Sequence, residues 1–204
     1  MPKSVTTIGA MAFCRCSSLE TITIPKSVTI IGGYAFVGCA KLTSIIVDEN
    51  NINYSNSEDG VLFDKNKETL ICYPASKTET SYTVPESVTK IGESAFMHCI
   101  ALTSVTIPES VTTIGEGAFQ YCSSFTEIEI PNKVISIGKS AFFRCESLTK
   151  ITFPDSVKSI DAQAFYGCKS LTDVTMSKSL TTIGDDDFGY CTALTNIIIP
   201  KSVK

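Results

Sequence analysis

Charge is scarce in this chain, and no long apolar run takes its place. Only 19% of the 204 residues are charged, and 17 basic and 21 acidic side chains lie scattered without long blocks, leaving a net charge of -4. With 43% hydrophobic content, that composition argues against disorder. It also gives no basic footprint for nucleic acid or an anionic membrane. No apolar run approaches the roughly 18 residues of a spanning helix, and Met1 to Cys16 holds no apolar h-region, so nothing here inserts into a membrane or directs export. The pattern opens in mid-unit at Pro2, which leaves room for an export signal upstream. Histidine occurs once, as His98 beside Cys99. A catalytic dyad needs both side chains in hydrogen-bond reach, whereas sequence neighbours diverge, so His98 is expected to be a plain surface histidine. No other cluster pairs a nucleophile with a base, and the expectation is no enzyme and no cofactor.

What the chain has in quantity is repetition. Leu102 to Cys122 reads LTSVTIPESVTTIGEGAFQYC, and nearly the same words recur about every 23 residues from Pro2, Pro25, Pro85, Pro108, Pro131, Pro154 and Ser177. A period of this length belongs to a solenoid, whose units bury their apolar side only against their neighbours. Within Pro108–Ile130, Phe125, Ile128 and Ile130 point inward and Glu127 and Glu129 outward, the alternation of a half-buried strand. Proline ends that strand in most copies because it cannot donate to the ladder. VTTIG is a second extended piece with Val111 and Ile114 inward, and Gly115 supplies a corner. AF..C is read as one helical or 3-10 turn that tucks Ala118, Phe119 and Cys122 inside. The fold class is thus a β-rich α/β repeat: a solenoid of about eight coils with a parallel main sheet, short second strands and short helical or 3-10 turns.

The pattern C..L..I.IP..V..IG..AF..C resembles the BspA-type (Treponema-type) leucine-rich repeats over nearly the whole chain. The resemblance implies a leucine-rich-repeat solenoid with its main sheet on the concave side. It also implies kinship with secreted or cell-surface bacterial proteins implicated in adhesion, related repeats being found in parasitic protists. It does not fix a ligand.

Residues 1–204 are expected to form a single domain. Residues 48–84 depart from the period by 14 extra residues and are read as an atypical repeat carrying a hairpin, Val61–Phe63 with Thr69–Ile71, which is either a binding protrusion or a structural elaboration over core. Residues 200–204 start a truncated repeat. Polar caps are lacking at both ends, so a monomer or weak end-to-end association is expected.

Seven of nine cysteines, Cys16, Cys39, Cys99, Cys122, Cys145, Cys168 and Cys191, share one position per unit and should form a reduced interior ladder of small hydrophobes. Cys14 and Cys72 lie off it, and CRC alone makes no zinc site. Asp185, Asp186 and Asp187, with Asp187 in place of a buried alanine, match no calcium loop and are read as a solvated, frayed turn, as are Asp48 to Asn51. Asn53-Tyr54-Ser55 fits a glycosylation acceptor for a secreted eukaryotic protein.

Recognition should then use what varies outside the main sheet, where Ser104, Thr106, Glu127, Glu129, Lys150, Thr152, Asp173 and Thr175 form a hydroxyl-rich strip with an acidic centre. Threonine there also suits a strand on packing grounds alone. Phe143, Tyr166, Tyr121 and Tyr190 make a second variable column. The expected function is a non-enzymatic recognition module of a bacterial surface or secreted protein, located outside the cell or on its surface, taking a protein partner (host matrix or another surface protein) ahead of a glycan. The alternative is a structural spacer or a cytoplasmic scaffold without a ligand.

Overall fold

The computed structural model describes residues 1–204 as sixteen short strands, β1 to β16 in chain order, stacked into a solenoid of about eight coils. The LTSVTI words supply β2 (Thr21–Ile24), β4 (Ser44–Val47), β8 (Ser81–Thr83), β10 (Ser104–Thr106), β13 (Lys150–Thr152) and β15 (Asp173–Thr175). The VTTIG words supply β1 (Thr7–Ile8), β3 (Ile30–Ile31), β9 (Lys90–Ile91), β11 (Thr113–Ile114), β12 (Ser136–Ile137), β14 (Ser159–Ile160) and β16 (Thr182–Ile183). Pairing between consecutive regular coils is parallel and in a 23-residue register, as in Thr113 opposite Ser136 and Lys150 opposite Asp173. Phe125, Ile128, Ile130, Val111 and Ile114 are all buried, as the alternation requires. Threonine side chains reinforce the stack: Thr103, Thr126, Thr149 and Thr172 each donate Oγ1–H to the carbonyl 23 residues earlier.

The two sheets exchange the expected weights. The VTTIG strands carry the longest sheet, eight strands in the order β16-β14-β12-β11-β9-β7-β6-β5, although most contribute only two residues. The LTSVTI strands pair only two by two, β2 with β4, β8 with β10 and β13 with β15. The extra strands of the long sheet come from the irregular segment: β5 (Tyr54–Asn56) and β6 (Leu62–Asp64) are antiparallel, as are β6 and β7 (Thr69–Cys72), and β7 then joins β9 in parallel. Val61, Leu62, Phe63 and Leu70 are fully buried. Side-chain alternation on β6 divides the interior, with Leu62 in an N-terminal cluster of 10 residues and Val61 and Phe63 in one of 36.

The AF..C segment is not helical. In the fourth coil Ala95, Met97 and Cys99 donate N–H groups to Gly92, Ser94 and Phe96, closing successive turns, while Ser94, Phe96 and His98 donate to Glu116, Ala118 and Gln120 of the next coil at 2.9, 2.7 and 2.9 Å. An α or 3-10 turn would point every N–H along its own axis. Here left-handed residues, Ser94 (φ 52) and His98 (φ 63), turn alternate groups towards the neighbour. The pair recurs as Gly117 and Tyr121, Ser140 and Arg144, Gln163 and Gly167, and Asp186 and Tyr190. At the Gly115 corner the backbone is not left-handed. The reason for glycine is close approach, since a Cβ on Gly115 would stand 2.9 Å from the carbonyl carbon of Gly92.

Candidate recognition face

The LTSVTI ladder lapses at two coils, at residues 127–130 and again at residues 195–199 beyond β15, and a surface feature lies at the first of them. Thr126 N–H donates to Thr103 and Thr149 N–H to Thr126, each at 3.2 Å, but the ladder does not continue as a strand through residues 127–130. A single bridge, Glu127 opposite Lys150, remains. The local sequence differs from its siblings at one core position. Leu102, Leu148 and Leu171 are replaced here by Phe125, whose ring tilts against Phe119 with centroids 5.5 Å apart. An open groove of about 820 Å³ lies here across three coils, with Ser104, Thr106, Glu127, Glu129, Lys150 and Thr152 in its walls and Ile128 and Ile130 beneath. Six of the eight residues expected to recognise a partner therefore meet in one depression. Asp173 and Thr175 stand beyond it on β15, exposed. The carboxylates of Glu127 and Glu129 have neither a salt bridge nor a hydrogen bond, and Lys150 makes no ion pair within 4.0 Å. Phe125 and the missing ladder were not foreseen.

The cysteines of the repeat lie along the interior as free thiols, and all but one of them is buried. Each buried one donates S–H to the carbonyl 26 residues before it: Cys39 to Phe13, Cys122 to Phe96, Cys145 to Phe119, Cys168 to Phe142 and Cys191 to Phe165, at 3.0 to 3.2 Å, and Cys99 to Tyr73 at 3.8 Å. Burial pushes the Cys122 thiol up to about 12 and Cys99 and Cys145 well above the usual range. Cys16 departs from the expected ladder, being exposed. Cys72, outside the repeat pattern, also donates to Tyr73 at 3.7 Å, and burial raises its thiol to about 12.

Other singled-out residues have structural explanations. His98 is half-buried rather than a plain surface group. It stacks on Tyr121 at 4.6 Å and 4°, and burial lowers its pKa. Tyr121 meets Phe143 edge-on, Phe143 stacks on Tyr166 at 5.1 Å, and Tyr166 tilts against Tyr190 at 5.0 Å, so the second variable column is one continuous run of rings. The aspartate turn is not frayed at Asp187. That carboxylate is 3% exposed and accepts N–H groups from Ala164 at 2.9 Å and Gly184 at 2.6 Å. Burial raises its pKa to about 6 against the lowering effect of these two donors. Asn51 is fully buried; its Nδ2 donates to Pro25 and Val28 and its Oδ1 accepts from Asn53 and Tyr54. Asn53 Nδ2 is itself buried without a partner, which removes it from reach of a glycosylating enzyme in the folded chain. Lys77 is almost covered, its Nζ lying 3.4 Å from Asp59 and 3.6 Å from Glu79 and donating to the Asp59 carbonyl at 2.8 Å, which fastens the 57–60 loop. No three His, Cys, Asp or Glu side chains converge as a metal site would need. No helix is long and apolar enough to cross a membrane.

A stack of 23-residue coils, each with an L..I.I strand and an interior column of phenylalanine and cysteine, defines a leucine-rich-repeat solenoid. The chain belongs to the BspA type leucine rich repeat family, whose model matches in six copies over residues 1–66, 72–127 and 112–204. Among solved structures it is similar to a leucine rich cell surface protein from Faecalibacterium prausnitzii, with 36% identity and TM-score 0.88 over 96% of this chain and 52% of that one. It is also similar to a leucine-rich repeat protein from Eubacterium ventriosum, with 31% identity and TM-score 0.82 over 100% of this chain and 60% of that one. The pneumococcal vaccine antigen PcpA aligns at 26% identity and TM-score 0.69 over 98% of this chain and 53% of that one. The chain thus spans about half to three-fifths of the length of each. No curated protein matches it.

Proposed function

We propose that this chain is a non-enzymatic recognition module that binds another protein, of the host matrix or of a cell surface, through the face of its LTSVTI strands. The observation that carries the reading is the groove of about 820 Å³ in which Ser104, Thr106, Glu127, Glu129, Lys150 and Thr152 meet with unpaired charges. Core positions repeat from coil to coil and distinguish no partner, whereas this depression lies across three neighbouring coils. The cell-surface description of the Faecalibacterium prausnitzii neighbour supports a place outside the cell or on its surface. Residues 1–204 act as one unit in this reading.

The test is binding of the purified chain to an array of extracellular-matrix proteins and glycans, beside a Glu127→Lys, Glu129→Lys variant. Both side chains are exposed, so melting should be unchanged. Binding of a protein spot lost in the variant is the expected result. Binding retained would move the site to the aromatic column, and no binding by either form would favour the spacer role.

A further inference from the structure

We propose that the groove takes an extended peptide segment with lysine or arginine at alternate positions, held by main-chain hydrogen bonds to residues 127–130 as well as by Glu127 and Glu129. The inference rests on the reading of this face as a protein-binding surface and names what it binds.

Two independent observations converge here. The first is the open ladder. Residues 127–130 lie between β10 and β13, yet apart from the bridge of Glu127 to Lys150 their N–H and C=O groups are paired with neither strand. Backbone groups in a folded protein find partners almost without exception, in the protein or in water. A segment whose main-chain groups are largely unpaired, beside a groove, is what peptide recognition by strand addition exploits, with main-chain bonds giving affinity and alternate side chains giving specificity.

The second observation is charge. Along the open strand Glu127 and Glu129 point out with Ile128 between them, and neither carboxylate has a partner. Their spacing of two residues matches the repeat of a facing extended chain, whose alternate side chains lie on one side. Lys150 on the far wall offsets one of the two charges, so the lining keeps one net negative charge. An acidic segment would be repelled, and a helix would present its backbone groups already paired.

The probe is a fluorescein-labelled heptapeptide of alternating threonine and lysine, titrated by fluorescence anisotropy at low salt. Its glutamate analogue and a version N-methylated at alternate amides are the controls. Expected are saturable binding of the lysine peptide, none of the glutamate peptide, and loss of roughly tenfold or more in affinity on N-methylation. Glu127→Gln with Glu129→Gln should lose as much, with unchanged melting. Equal binding of both peptides, no binding of the lysine peptide, or undiminished affinity of the N-methylated peptide would each overturn the proposal. If the matrix array yields a charge-dependent partner while the lysine peptide fails, only this inference falls. If both fail, the recognition reading falls with it.

Discussion

At Cys122 the side chain fills a slot and donates. The S–H points at the Phe96 carbonyl 3.0 Å away, an oxygen that already accepts the Cys99 N–H. Alanine would keep the space open and leave a small void; leucine would force extra methyl groups between coils. We expect Cys122→Ala to cost about 1–2 kcal/mol and Cys122→Leu about 1–3 kcal/mol, read from urea unfolding midpoints. The period alone made the interior column legible. The thiol's acceptor was not, because it is set by which carbonyl the preceding coil presents.

Asp187 is the reverse case, a residue that costs stability where it sits. Its folded pKa of about 6 lies above the ordinary 3.8, so the native chain holds the proton more tightly than the unfolded one. The corresponding stabilisation is fully present below pH 3.8 and is lost as pH rises through about 6. Its two donors, Ala164 and Gly184, already bond to the backbone carbonyls of Asp161 and Ile160. Asp187→Ala, which restores the residue of the sibling coils, should therefore raise stability at pH 7.5. After solvent screening the gain is on the order of 1 kcal/mol, about 2–4 °C in melting temperature, and it should shrink at pH 4.5.

Among the elements, the VTTIG corner shows how far a repeat can be read. The recurrent glycine signalled a constraint, but only the stacked coils reveal that the constraint is contact between backbones. A Cβ on Gly138 would stand 2.7 Å from the Gly115 carbonyl carbon and 2.8 Å from the Glu116 nitrogen, neither of which can step aside. Gly138→Ala should cost about 2 kcal/mol or more, by the overpacking argument, with the loss seen in the denaturant midpoint. The AF..C segment misled for a related reason. Its short apolar spacing fits one helical turn, yet half its N–H groups serve the next coil, and such an inter-coil bond leaves no mark on the spacing within one unit. The strip on the LTSVTI strands was legible as a set of exposed positions, since alternation fixes which residues face out. Its concentration into a groove depended on the lapse of the ladder at residues 127–130, which alternation within one coil does not reveal.

For the whole molecule, β6 acts as a partition. Leu62 closes the N-terminal cluster and Phe63 the larger one, so the stack has two interiors that share one strand. Repeat arrays gain stability from neighbouring interfaces, and a smaller cluster should open at lower free energy. In native-state hydrogen exchange, amides of β2 and β4 should exchange faster than those of β11, β12 and β14. Leu62→Ala should speed exchange mainly in the first group and Phe63→Ala mainly in the second, each costing about 2–5 kcal/mol. Uniform exchange along the chain would show that the partition does not divide the folding unit.

The run of rings from His98 to Tyr190 has a further consequence, in spectroscopy. The chain contains no tryptophan and seven tyrosines, of which Tyr121, Tyr166 and Tyr190 belong to that run. Rings held about 5 Å apart at fixed angles couple their electronic transitions, and the coupling vanishes when the coils slide or part. The near-ultraviolet circular dichroism of the unlabelled protein is accordingly a gauge of stacking along one edge, unobscured by indole absorption.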